Sequence, residues 1–396
     1  MKIYEIGTGY TPIPAQISAA TEIIVEELTK AFMEQNVPVE IIDIAADDRA
    51  ATRLPIREVP VPGFLFGTDL RLGILHKLKR VTYSVALAGV LTKLLKQEQE
   101  KVVLHFHNQY NLFFFLKLAP KALRKRCLIA YTNHSGIWRL PWSQISGTIR
   151  SRYFQEAECM KQADLVFLLN EETKQNVMDH VGVDEHRIVV IHNGVNTHVY
   201  HPLDAEEQAA AKEKFGLSNR RVILQVGSVY ENKGQLRSVE YLLPLLKENP
   251  DLVFAYVGGI VDEAYQQQII AFAQEQGLTD QIRYLGMIAP GEALNDLYNT
   301  ATATILPSRY EGFSLVSIES CAAGVPVLVE KDGPIRFGDG CVPFDPDRVG
   351  DCVEKLLCNT DDRLREAARN NALTSYSWQK IAADYMAAFM QKEKMI

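Results

Sequence analysis

The feature that most constrains this chain is a rhythm. Short apolar runs alternate with segments of helical spacing, and the alternation starts twice. In the first half, strands are expected at Lys2–Ile6, Val39–Asp43, Val102–Phe106, Leu128–Tyr131, Asp164–Leu169 and Ile188–Ile191. Between several of them lie amphipathic stretches such as "ATEIIVEELTKAFMEQ". Continuous apolar strands separated by crossover helices describe a parallel sheet covered on both faces. The rhythm restarts at "RVILQVGSV". A helix "LRSVEYLLPLLKENP" follows, then a strand "LVFAYVGG" and a helix "DEAYQQQIIAFAQEQG" closed by Gly277. "IRYLGMI", "ATATILPS" and "VPVLVE" supply further short strands.

The two series meet in "HNGVNTHVYHPLD", His192 to Asp204, whose Asn, Gly and Pro content suits a linker. A chain of 396 residues is long enough for two domains. The expected architecture is α/β: two doubly wound, Rossmann-like domains facing each other across a cleft. Ligands of such sheets sit at the carboxyl ends of the strands.

Composition excludes several classes. No apolar run reaches the roughly 18 residues of a membrane span. The start, "MKIYEIGTGYTP", reads as a strand and turn rather than a signal peptide, so a cytoplasmic protein is expected. The six cysteines form no CxxC pair and lie at no zinc-ligand spacing with histidine, so buried reduced thiols are expected. Net charge is −7, with the front half the more basic, which argues against general nucleic-acid binding.

The chemistry concentrates in "SRYEGFSLVSIES", Ser308 to Ser320. "ATATILPS" reads as a strand before it, and "SLVSIESCAAG" as a helix ending at Gly324. Glu311 then sits in a strand-to-helix loop, Gly312 lets backbone approach a ligand, and Ser314 lies at the helix start. Unpaired N–H groups and a partial positive charge make that start an anion site. Glu319 lies about five residues into the helix, roughly 7.5 Å along its axis. A nucleotide sugar with its diphosphate at the helix start would bring its sugar to Glu311 and its ribose to Glu319. Each carboxylate can accept two hydroxyl hydrogen bonds. Strand "VILQV" leads into "GSVYENKG", Gly227 to Gly234, where Lys233 can reach a phosphate. Gly258 ends another strand, and Gly286-Met287-Ile288 offers backbone groups to a nucleobase.

These residues resemble the retaining GT-B glycosyltransferases of family 4. The family hallmark, E-x7-E within "EGF-x-L-x-x-x-E-A-x-A-x-G-x-P-V", stands here as "EGFSLVSIESCAAGVPVLV". "IHNGVNTHVYHP" is similar to the interdomain segment, and "IRYLGMIAPGEALNDLYNTATATILPSRYEGF" to the run leading into the motif. "YSWQKIAADYMAAF" looks like the closing segment, whose last helix crosses back onto the first domain. The resemblance implies an acceptor-binding domain over 1–195, joined by a C-terminal helix at about 380–396. It implies a donor-binding domain over 196–379.

Carried over by position, the resemblance gives Glu311 the donor-sugar hydroxyls, with backbone N–H groups near Gly312 and Phe313. Lys233 and the N–H groups near Leu315 and Val316 would hold the diphosphate, and Glu319 the ribose. Gly227, Ser228, Gly258, Met287, Ile288 and Ser314 complete the expected donor site. A histidine at a first-domain strand end approaches the donor sugar in the family. His134 in "YTNHSG" is the first candidate and His107 in "LHFHNQY" the second, although a lone histidine is more often structural. Strand alternation points His105 and His107 to one face. Transfer is expected to need no metal and no cofactor, with the leaving diphosphate helping to deprotonate the incoming hydroxyl. The expected donor is a UDP-sugar; the acceptor is a glycan, lipid-linked or small molecule.

Three departures stand out. Ser228 replaces an arginine usual in the family, so that one diphosphate cation is missing or Arg237 or Arg309 replaces it. "EKDGPIRFGDG" replaces the usual glycine-pair loop, and "GTGYTPIPAQISAATE" lacks paired glycines after the first strand, offering Gly7, Gly9, Ala15 and Ala19.

Two basic stretches, "RLGILHKLKRVTYSVALAGVLTKLLK" and "LKLAPKALRKR", read by default as core helices with solvated cationic edges. The sharper reading is a patch that docks on anionic lipid at the inner face of the membrane. Competing functions are another GT-B nucleotide-sugar enzyme, an epimerase or an inverting transferase, and a non-catalytic binding or assembly protein.

Overall fold

The computed structural model describes residues 1–14, 20–63, 74–149, 153–311, 313–335, 337–358 and 362–395. Gly312, Ala15, Ala19 and the first residues of the basic stretch from Arg71 lie outside them. The chain divides into two compact units. One comprises Met1–Asn193 and Trp378–Ile396; the other is Gly194–Ser377.

In the first unit seven strands form one parallel sheet. They are β1 (Lys2–Ile6), β2 (Val39–Ile44), β3 (Ile56–Val59), β4 (Val102–Phe106), β5 (Cys127–Thr132), β6 (Leu165–Leu168) and β7 (Ile188–Val190). Their order is β3-β2-β1-β4-β5-β6-β7. The second unit holds β8 (Arg221–Val226), β9 (Leu252–Val257), β10 (Ile282–Tyr284), β11 (Ala303–Leu306), β12 (Val327–Glu330) and β13 (Cys341–Phe344). Its parallel order is β10-β9-β8-β11-β12-β13.

Both faces of each sheet are buried, which is why the strands read as continuous apolar runs. In β8, Val222 and Leu224 pack into one cluster, while Ile223 between them packs into another. In β4, Val102, Leu104 and Phe106 join one core and Val103 the other. The second face of the first sheet is covered by two helices, Ala20–Glu34 and Trp378–Met395. Ile24, Leu28 and Phe32 meet Trp378, Ile381, Tyr385 and Phe389 there. The closing helix thus belongs to the first unit.

Two strands went unread in the sequence, β3 and β13, and both are sheet edges. In β3, Arg57 and Glu58 are exposed; in β13, Pro343 is exposed and only Phe344 is buried. An edge strand has a neighbour on one side only, so it needs fewer apolar residues and tolerates proline.

Candidate functional site

In the second unit the residues singled out by sequence gather where the strand order reverses, at the ends of β8 and β11. The turn after β8 closes with one helical turn, Glu231–Lys233, and Gly234 at φ +74. A side chain there would meet the Pro307 carbonyl at 3.0 Å, so glycine is needed for both conformation and space. The buried Gln225 of β8 fixes this turn: its Nε2 donates to the Lys233 carbonyl at 2.7 Å, and Ser238 Oγ donates to its Oε1 at 2.7 Å. Lys233 Nζ then meets Glu311 Oε1 at 2.5 Å.

Asn232 locks the two loops together. Its backbone carbonyl accepts from Arg309 N at 3.0 Å, its Oδ1 accepts from Tyr310 N at 3.1 Å, and its Nδ2 donates to the Tyr310 carbonyl at 3.1 Å. Sequence reading missed Asn232, whose only signal was its place beside Lys233 in the turn.

Ser314 caps the Leu315–Ala322 helix, its Oγ accepting from Ser317 N at 3.3 Å. The N–H groups of Leu315 and Val316 stand in the first turn, where a helix supplies no acceptor of its own. Phe313 packs beside Tyr376, with ring centroids 5.9 Å apart. Glu319 accepts from the Tyr298 hydroxyl at 2.9 Å through Oε2. Burial pushes its carboxyl up to about 7, against the hydrogen bonds of Tyr298 and Tyr200. Tyr298, on the Glu292–Asn299 helix, was not anticipated.

Gly227 and Gly258 are packed on each other: a Cβ on Gly258 would lie 2.1 Å from the Gly227 carbonyl oxygen. Gly258 N–H donates to the Gly286 carbonyl at 3.0 Å, and its own carbonyl accepts from the Tyr284 hydroxyl at 2.7 Å. Close backbone approach thus accounts for glycine there. Ser228 offers its carbonyl to Gln235 Nε2 at 3.0 Å. Met287 is 79% exposed beyond β10, and Ile288 is half-buried against the core. Both substitute cations are engaged: Arg237 with Glu330 at 3.5 Å and the Pro307 carbonyl, Arg309 with Glu231 at 2.8 Å.

In the first unit a polar chain runs through the face covered by the C-terminal helix. Glu5 of β1 pairs in register with His105 of β4 and is 0% exposed. Its Oε1 meets His105 Nδ1 at 2.9 Å and its Oε2 meets His107 Nε2 at 2.7 Å. His107 Nδ1 meets His134 Nε2 at 3.0 Å. On the other side, His105 Nε2 meets Thr132 Oγ1 at 2.7 Å, and Thr132 meets the Tyr385 hydroxyl at 3.2 Å. His105 and His107 do share a face, and His134 joins them. Glu5 was missed because a carboxylate inside a strand carries no local signal.

Burial alone would raise Glu5, but the His105 charge and the hydrogen bonds of both histidines overcome it and hold the carboxyl at about 2. Burial, aided by His105, pushes His107 down to about 4. Burial and the neighbouring histidines push His134 well below the usual range. His134 Nδ1 is covered and has no hydrogen-bond partner among the described residues. Leaving such a group unpaired costs about 1–3 kcal/mol. Among the described residues, Glu5, His105 and His107 place ligand atoms within 4.8 Å of one another. A cation there would displace the hydrogen bonds that now occupy both Glu5 oxygens.

Two family profiles match the chain: Glycosyltransferase Family 4 over residues 21–199 and Glycosyl transferases group 1 over residues 207–372. An uncharacterized glycosyltransferase of Methanocaldococcus jannaschii is 29% identical over 237 residues, 55% of this chain and 58% of the relative. A D-inositol 3-phosphate glycosyltransferase of Corynebacterium glutamicum is 25% identical over 282 residues, 64% of this chain and 67% of the relative. One from Streptomyces avermitilis is 31% identical over 205 residues, 49% of this chain and 43% of the relative. The matched stretches thus span about half of the curated relatives' length. Among solved structures, HepE of Anabaena in complex with UDP and glucose superposes with a TM-score of 0.70 at 16% identity, covering 98% of this chain and 99% of that one. Sucrose-phosphate synthase of Thermosynechococcus elongatus gives 0.72 at 19% identity over 100% of both chains. At these identities the likeness concerns the fold, two Rossmann-like domains of the GT-B kind. With both profiles matched in order and this fold beneath them, the chain belongs to the family 4 glycosyltransferases of the GT-B class.

Proposed function

We propose that this protein is a retaining glycosyltransferase that moves a sugar from a nucleotide-diphosphate sugar, a UDP-sugar, to an acceptor hydroxyl. The observation that carries the reading is the Lys233–Glu311 pair, held at the reversal of strand order beside the first turn of the Leu315–Ala322 helix. Lys233 and the N–H groups of Leu315 and Val316 neutralise the diphosphate. Glu311, released from Lys233, accepts from sugar hydroxyls, and Glu319 accepts from the ribose. UDP as the carrier is supported by the named contents of the HepE complex.

The acceptor oxygen bonds to the anomeric carbon on the face from which the diphosphate departs, and its proton passes to the leaving phosphate oxygen. Stabilising the charge on that leaving group is the protein's main contribution. The positive charge comes from the chain itself, so transfer proceeds without a divalent ion. The acceptor is a glycan, lipid-linked or small molecule used in cell-surface or exopolysaccharide synthesis.

A calorimetric screen of nucleotide sugars and nucleoside diphosphates tests this, with Glu319→Ala and Lys233→Ala as controls. Saturable binding lost in both variants is expected, followed by an NMR-identified product of retained anomeric configuration. An inverted product or an epimerised nucleotide sugar would move the protein to the other enzyme readings. No binding by folded protein would move it to the non-catalytic one.

We also infer a peripheral contact between the first unit and an anionic bilayer at the cytoplasmic face. On the Ile74–Gln97 helix, Leu78, Val81 and Val85 are 45%, 43% and 43% exposed along one side, with Lys96 further along it. Exposed Lys117, Leu118, Lys121 and Lys125 belong to the same unit. Cationic and apolar groups together suit an anionic lipid surface. Co-sedimentation with phosphatidylserine vesicles should fall when Lys121, Arg124 and Lys125 are changed to Glu; unchanged binding would reject the contact.

A further inference from the structure

We infer that Glu5 and His107 fix the proton of His134 on Nε2, so that its Nδ1 is a dedicated hydrogen-bond acceptor for a ligand hydroxyl. His134 is then a hydroxyl-reading contact, and Glu5 and His107 are positioning residues. The inference rests on the glycosyltransferase reading for the identity of the ligand, and on the geometry of the first unit for everything else.

A carboxylate offers only acceptors, and both Glu5 oxygens are occupied by ring nitrogens, at 2.9 Å from His105 and 2.7 Å from His107. Each of those nitrogens must therefore carry a hydrogen. A neutral His107 with its proton on Nε2 has a bare Nδ1, and that atom lies 3.0 Å from His134 Nε2. Two bare nitrogens would repel, so the hydrogen between them belongs to His134. The rings meet edge to edge, with 20° between their planes and centroids 5.3 Å apart, as an in-plane N–H···N bond requires. One nitrogen then remains, His134 Nδ1, and it is the atom of this chain that lacks a partner among the described residues. At the far end, His105 Nε2 meets Thr132 Oγ1 and Thr132 meets the Tyr385 hydroxyl, and neither contact bears on the hydrogen between His107 and His134.

The location agrees. His134 follows β5, at the carboxyl end of the parallel sheet, and its residue is partly exposed although Nδ1 is covered. A bare nitrogen repels phosphate oxygens and accepts from O–H groups. The chemical class it selects is therefore a hydroxyl, on a sugar or on the acceptor, and not the diphosphate.

The test is nitrogen-15 NMR of the full chain labelled at histidine, which reads each ring's tautomer directly. The wild-type protein should show His134 neutral with its hydrogen on Nε2; a hydrogen on Nδ1 overturns the inference. His107→Leu removes the acceptor for that hydrogen, so a mixed or reversed tautomer is expected. His107→Gln supplies an amide that can donate to Glu5 and accept from His134, and should recover the wild-type tautomer. A wild-type tautomer in the Leu variant overturns the inference, because a merely structural residue would leave the signal in place. Glu5→Gln should also disturb the tautomer, and the two His107 variants decide the matter if it does not fold. In turnover, His107→Leu should lower kcat by roughly tenfold, one lost hydrogen bond, with KM little changed. Adding the nucleotide sugar found in the binding screen, together with the acceptor, should shift the Nδ1 resonance. A shift of the same size with nucleoside diphosphate alone overturns the hydroxyl assignment. The tautomer measurements need no ligand, so their failure is distinguishable from failure of the transferase reading.

Discussion

The two units use one strand order and place their polar residues at the same topological point, yet they manage charge in opposite ways. In each, the order runs third, second, first, fourth, fifth, sixth, and the reversal lies between the first and fourth strands. In the first unit the polar residues at that point stand inside the strands: Glu5 on β1 and His105 on β4, sealed beneath the closing helix. In the second they stand in the loops beyond the strands: Lys233 after β8 and Glu311 after β11, both partly exposed. The difference teaches what each can do. A buried chain of linked side chains is rigid and sets proton positions. A partly solvated pair at strand ends can be opened by an anionic ligand that competes for the lysine.

The largest expected effect is on stability. Glu5→Ala strips two buried histidines of their shared acceptor and should cost about 3–5 kcal/mol, the usual penalty for breaking a buried ionic network. Chemical denaturation of the variant checks it; Lys233→Ala, a partly exposed partner, should change stability by less than about 1 kcal/mol. That second variant should instead lose donor affinity by about 10- to 100-fold, the worth of a charge-assisted bond, as read by calorimetry.

Acid should also separate the units. His107 has its pKa lowered to about 4, so its contribution is fully present above 6.5 and is lost as pH falls through 4. Glu5 follows between 4.5 and about 2. Glu319 runs the other way: its raised pKa favours folding below 4.5, and that advantage fades as pH rises through about 7. Glu319→Gln should therefore be more stable than the wild type at pH 8 by about 1–2 kcal/mol and similar to it near pH 4.5. Thermal melts across that range decide it. Ser314→Ala, which removes a helix cap, should cost about 1 kcal/mol, seen as a small shift in the denaturation midpoint.

How much was legible follows the same division. The second-unit site is nearly continuous in the chain: Glu311, Ser314 and Glu319 sit on one loop and helix, so spacing alone exposed their relation. Lys233 was readable from the glycine turn around it. Asn232 was not, because its partners lie 78 residues away at Tyr310. Glu5 was hidden for the same reason, 100 residues from His105. His134 was picked by resemblance, but its bond to His107 depends on β4 and β5 lying side by side. The fold was legible where strands carry continuous apolar runs and failed at β3 and β13, edge strands that bury one residue each and expose Arg57, Glu58 and Pro343.

The sequence by itself determined two parallel α/β sheets, the helix that opens beside Glu311, and the family to which the chain belongs. These follow from local periodicity and from residues close in the chain. Tertiary structure alone decided the partners of Glu5, the locking of the two second-unit loops by Asn232, and the Tyr298 hydroxyl on Glu319. Each joins residues on different elements, and the distance between such residues is set by strand order and register, which no local pattern encodes.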